Sequence, residues 1–214
     1  MIIVPEAFTV ATVSREGDAG RAWVAALPAL GVVARYRKTH VVGEERAWCS
    51  PGTDKPPVID LAWGRVGLLL GTDLCFPEMP RSLALDGCDL LAVAAGAGLP
   101  PMDAGAATAV PLHPPGIIAT DAFHFHLARQ RAIENDSYVA FACLPAPDGI
   151  GCSAVFGPDR AGETVLSRSD PGTAVRVIDT AHVDTPYPGL ATVRAKPLVS
   201  MRQPHLYEPL QTEL

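Results

Sequence analysis

The sequence has no run of clustered lysines and arginines, no apolar stretch approaching the ~20 residues of a membrane span, and no C-x-x-C pair. Without a basic patch, binding to a phosphate backbone is not expected, and the formal charge of −6 points the same way. No membrane partner is expected. The apolar start Met1–Val4 carries no basic leader and runs straight into Pro5 and Glu6, so it does not read as a signal peptide. The five cysteines, Cys49, Cys75, Cys88, Cys143 and Cys152, are an odd number at spacings that fit neither a disulfide framework nor a zinc ribbon. A reduced, cytoplasmic protein is the expectation. Aromatic residues are scarce at 6%, so the core has to be built from Ala, Val and Leu.

What is present is enough for a fold. The 214 residues are 48% hydrophobic and 19% charged, far from the composition of a disordered tail. One domain over residues 1–214 is expected, because a chain of this size can bury roughly 70% of its unfolded surface in one core. Strand patterns fall at Met1–Val4, Phe8–Ser14, Ala22–Leu27 and Gly31–Tyr36, and a turn at Ser50–Pro57. Val58–Ala62 and Val66–Leu70 read as two strands split by Gly64-Arg65. Pro80–Leu85 reads as a short helix and Asp89–Ala94 as a strand buried on both faces. The Gly- and Pro-rich residues 96–118 read as a long loop. Thr120–Asn135 is the best helix, capped by Thr120 or Asp121, and Tyr138–Cys143, Cys152–Phe156 and Ala174–Asp179 read as strands. Strands mixed with single helices predict an α/β or α+β domain.

The sharpest segment is Val66–Glu78, where an apolar strand runs through Gly71 into Thr72-Asp73-Leu74-Cys75-Phe76-Pro77-Glu78. A buried strand, a tight turn and then a helix is the geometry that lifts a nucleophile above a sheet edge. This segment resembles the nucleophile turn of the nitrilase superfamily of carbon–nitrogen hydrolases, Cys-aromatic-Asp-x-Arg-Phe-Pro-Glu. Other stretches match the family in the same order. Tyr36–Val41 resembles its lysine segment, and Glu45–Trp48 through Gly52 the segment with its second glutamate. Ala128–Asn135 resembles its Arg-Ala-x-Glu-Asn helix, Gly151-Cys152-Ser153 its Gly-Gly-Ser strand, and Arg202–Tyr207 its closing tail. The resemblance spans nearly the whole chain. It implies a four-layer αββα sandwich, incomplete at the N-terminus, and no metal or cofactor. Pairing into a homo-oligomer, or with a partner chain, is implied as well.

In that family a glutamate acts as general base, a lysine stabilises the oxyanion and a cysteine attacks the amide or nitrile carbon. Carried over, Lys38 falls on the lysine, Glu45 on the second glutamate, and Glu6 on the base. An alternative alignment makes Met1–Ser14 a later strand and leaves the base absent. The cysteine does not carry over: with Gly67 before and Asp73–Glu78 after fixing the register, the nucleophile position is Gly71. Cys75 takes the place of the family's arginine. The resemblance thus implies a hydrolase scaffold whose thiol step is impaired or lost, a pseudoenzyme whose residual pocket takes a small amide-like or carboxylate ligand.

Alternatives stay open beside it. Cys75 is either a small buried hydrophobe or a relocated nucleophile, which requires a nearby cation to depress its pKa. A non-enzymatic assembly subunit is the third reading. Glu45 read by itself is a solvated acid in the Glu44-Glu45-Arg46 cluster, and Glu134 either supports the site or makes an ordinary ion pair. Thr72 is a weak nucleophile without activation. His124 and His126 lie two apart on a helix and cannot chelate one ion. Cys49, Cys88, Cys143 and Cys152 are expected in the core.

Overall fold

The computed structural model describes residues 23–24, 34–47, 49–95, 119–143, 145, 151–158, 164–167, 170–180 and 196–211. The expected strands at Met1–Val4 and Phe8–Ser14, and the loop at 96–118, lie outside them. A two-residue pair, β1 (Trp23–Val24) with β2 (Ala34–Arg35), is antiparallel. The main sheet has six strands in sequence order: β3 (Val58–Leu61), β4 (Gly64–Leu70), β5 (Leu90–Ala95), β6 (Tyr138–Cys143), β7 (Ala154–Phe156) and β8 (Thr164–Val165). Its three central strands are parallel, with Val66, Leu90 and Tyr138 in register, and the flanking pairings are antiparallel.

The parallel strands are apolar on both faces because both faces are covered. Leu69, Leu91, Val93, Val139 and Phe141 point to one side, where they pack with Leu83 of α1 (Glu78–Leu85) and with Ala128 and Ala132 of α2 (Ala119–Glu134). Val66, Leu68, Leu90, Ala92, Tyr138 and Ala140 form the opposite face, against which Ala34 of β2 and Ile178 pack. The period-two alternation of a strand therefore sorts one continuous apolar run into two cores. Small Ala128 and Ala132, both fully buried, let α2 lie close to the sheet. The fold is α/β, as expected.

Three local expectations need correction. Gly64 and Arg65 do not separate two strands; they open β4, and the reversal comes one step earlier at Ala62-Trp63, in a hairpin that pairs Leu61 with Gly64. Residues 174–179 join no ladder among the described residues. Their alternation has another origin: Ile178 packs on the sheet and Arg176 reaches over the Tyr138 ring to donate to Val155 O at 3.1 Å, while Val175 and Val177 face solvent. A segment laid across a sheet shows the same period as a strand within one. Cys49 is half-buried rather than in the core, unlike Cys88, Cys143 and Cys152. Among the described residues, no helix is long and apolar enough to cross a membrane.

Leu91 is fully buried between the sheet and α1. Leu91→Ala is expected to lower the unfolding free energy by about 2–5 kcal/mol, read as a fall in the urea midpoint at unchanged slope. A loss below about 1 kcal/mol would mean the helix-side core is not packed as described.

Candidate functional site

The site grows from the end of β4. After Leu70 the chain turns at Gly71, whose φ is +47°, into a 3-10 turn over Gly71–Cys75, and α1 starts at Glu78. The left-handed region is open to glycine at no steric cost. The turn sits at the carboxyl end of a parallel strand, where open α/β sheets place their ligand sites.

Tyr36–His40, the stretch that follows β2, runs alongside this turn and is tied to it chiefly by the side chain of Asp73. Asp73 is fully buried, and its Oδ1 accepts from the Thr39 amide at 3.2 Å, the Thr39 hydroxyl at 2.8 Å, the His40 amide at 2.8 Å and His40 Nδ1 at 2.8 Å. Its Oδ2 accepts from the Tyr36 hydroxyl at 2.6 Å. Burial, and then the hydrogen bond to Asp73, pushes the Tyr36 hydroxyl far above its ordinary pKa, so it stays a donor. The His40 ring stacks on Phe76 with centroids 3.6 Å apart. Thr72 is buried and donates its hydroxyl to His40 O, so it is held as a structural donor.

Lys38 and Glu45 form an ion pair, with side chains 18% and 32% exposed. The Lys38 carbonyl accepts from the Gly52 amide at 2.8 Å. Glycine is needed there because a Cβ at position 52 would lie 2.4 Å from Arg37 O. A Cβ built on Gly71 would lie 3.4 Å from Lys38 Nζ and 3.5 Å from its Cε; chain neighbours and the turn's own backbone aside, no other atom of the described residues would come within 4 Å of it. The structure therefore brings Lys38, Glu45 and the bare elbow position together. Glu6 lies outside the described residues.

Cys75 closes the turn, half-buried, with its carbonyl accepting from Arg131 Nη2 at 3.2 Å. Arg131, itself buried, also donates Nε to Leu74 O at 3.0 Å and Nη1 to Glu134 at 2.7 Å. Glu134 thus makes an ion pair and, through it, steadies the turn; the two readings of Glu134 describe one arrangement. Burial pushes the Cys75 thiol above its ordinary pKa, outweighing the pull of Arg131 and Lys38. Cys49 behaves alike: burial first, then the charge of Glu45, raise its thiol, against the opposing effect of Lys38. Beside the ion pair's loop lies a cavity of about 490 Å³ whose wall includes His40, Val42, Arg46, Cys49 and Phe76.

The motifs single out Lys38, Glu45 and Gly71, which the structure brings together, and they assign no role to Asp73, Tyr36 or Arg131. Asp73 sat inside the quoted motif, and its one available signal was an acid embedded in an otherwise apolar run. Among the described residues, no group of three or more His, Cys, Asp or Glu side chains is placed to hold a metal ion.

The profile of the carbon–nitrogen hydrolase family matches residues 8–184. Over 89 residues the chain is 33% identical to a nitrilase of Pyrococcus abyssi, covering 42% of this chain and 34% of that protein. Over 93 residues it is 33% identical to a deaminated glutathione amidase of Escherichia coli O157:H7, covering 41% and 36%. A solved structure of a Nesterenkonia amidase mutant from the nitrilase superfamily superimposes with a TM-score of 0.58 at 24% identity, over 84% of this chain and 57% of that one. The matches thus span about a third of each curated relative, 34% and 36%, and a little over half of the solved chain, 57%. With the family profile covering most of its length and the fold shared, the chain belongs to the carbon–nitrogen hydrolases of the nitrilase superfamily.

Proposed function

We propose that this chain is a carbon–nitrogen hydrolase domain in which thiol-dependent hydrolysis is lost at Gly71, while the Lys38–Glu45 pair beside the elbow still binds a small amide-like ligand. What carries this reading is the Gly71 elbow: a side chain there would point at the Lys38 ammonium from 3.4 Å, the place from which a nucleophile would work, and glycine offers no atom to attack with. The ammonium remains as a donor for a carbonyl oxygen. Because Glu45 already neutralises it, the pair favours a neutral amide, whose dipole it can orient, over an anion that Glu45 would repel. A surrogate attack by Cys75 is disfavoured, since a thiol raised by burial is a poor source of thiolate at neutral pH.

Two measurements test this. The native chain, assayed against small amides and N-carbamoyl compounds, is expected to show no hydrolysis that depends on Lys38, and Gly71→Cys is expected to gain hydrolysis on the order of 10²-fold or more over it. Hydrolysis by the native chain that disappears on Lys38→Ala would overturn the proposal. Iodoacetamide at pH 7 is expected to modify Cys75 more slowly than free cysteine, with the rate still rising above the free-thiol range. Rapid, selective labelling of Cys75 at pH 7 would instead favour an active hydrolase with a relocated nucleophile.

A further inference from the structure

We infer that Asp73 is the positioning residue of this site, setting where the Lys38 ammonium stands over the elbow. The inference rests on the reading of Gly71 as the vacated attack position. Asp73 touches neither the ammonium nor the space a ligand would fill. It acts through the chain. The two residues after Lys38 deliver two amides, a hydroxyl and a ring nitrogen to its carboxylate. On the other side Tyr36, two residues before Lys38, delivers its hydroxyl. The carbonyl of Lys38 is held by Gly52. The backbone carrying the ammonium is therefore fixed before, at and after the residue.

Asp73 also belongs to the same five-residue turn as Gly71. One carboxylate thus closes a loop of bonds between the bearer of the cation and the bearer of the attack position; together with Glu45, which pairs with the ammonium itself, this sets the 3.4 Å approach between Lys38 Nζ and a Cβ at 71. A buried acid serving the fold alone would not need four of its five donor groups to come from the dipeptide following one lysine. Tolerance in such a site is small, since misplacement by an ångström can cost on the order of 10²-fold in rate.

The test uses the full chain with Gly71→Cys, so that the introduced thiol reports on the ammonium. Its alkylation by iodoacetamide, followed by mass spectrometry of the peptide that carries it, is expected to show a pH midpoint below that of free cysteine by about 1–3 units. Adding Asp73→Asn is expected to raise that midpoint by about a unit, as the ammonium drifts away. The sign is diagnostic: a role of Asp73 as a bare nearby charge predicts a fall, because removing an anion eases formation of the thiolate. In a Gly71→Cys, Lys38→Ala background, Asp73→Asn is expected to give no rise, since the group it positions is gone. A folded Gly71→Cys, Asp73→Asn protein with an unchanged or lowered midpoint would overturn the inference while leaving the proposed function intact. A normal midpoint in Gly71→Cys alone would overturn the proposed site, and this inference with it. Should Asp73→Asn not fold, Thr39→Val in the same background decides the matter: a rise of a few tenths of a unit is expected, and no change would overturn the inference.

Discussion

A carboxylate with no exposure to water is the constraint from which the rest of the site follows. Burying a charge costs several kcal/mol unless hydrogen bonds replace its hydration. Asp73 gains five donor groups, and all come from the short stretch Tyr36–His40. That stretch cannot move away without leaving the acid stranded, and the turn cannot move without taking the stretch along. Arg131 of α2 also holds the turn, through the carbonyls of Leu74 and Cys75. The elbow is thus held by a loop that bears a cation and by a helix that bears another.

None of these bonds involves a side chain at position 71. The scaffold of the site is therefore independent of the group that would perform the attack, and a nucleophile can be lost there without the surrounding geometry collapsing. At φ +47° a residue other than glycine is strained by roughly 1 kcal/mol or more. Glycine removes that strain. A strained nucleophile elbow is a case where activity and stability pull in opposite directions, and glycine is the residue that favours stability at such a position.

How much of this was legible in the sequence differed by element for physical reasons. The strands at Leu90–Ala95 and Tyr138–Cys143 were readable because a strand buried on both faces is an unbroken apolar run ending at polar or small residues. The segment 174–179 reads as a strand without being one because alternation reports contact with one apolar surface and says nothing of ladder partners. Lys38 and Glu45 were readable from a motif in which they lie seven residues apart, and the structure pairs them. Asp73 was not assigned a role because its donors lie 33 to 37 residues away, so nothing in its own neighbourhood marks it as buried. The general habit of free cysteines points Cys49 to the core; a thiol in the wall of a surface cavity breaks that habit.

Cys49 and Cys75, the two thiols on which the Lys38 charge acts, bear on whether a thiol away from the elbow could serve as a nucleophile. Attack requires a thiolate, and a thiolate requires that cations outweigh burial and neighbouring anions. At Cys75 burial is the largest influence, with Arg131 and Lys38 opposing it incompletely, and Arg131 is already engaged with two carbonyls and Glu134. At Cys49 the anion of Glu45 acts alongside burial, and the Lys38 ammonium that opposes them is the one Glu45 neutralises. The same pairing that suits Lys38 to receive a neutral carbonyl leaves it too well compensated to activate a distant thiol. A nucleophile in this geometry has to stand where Lys38 reaches it directly, and the elbow is where such a side chain would stand.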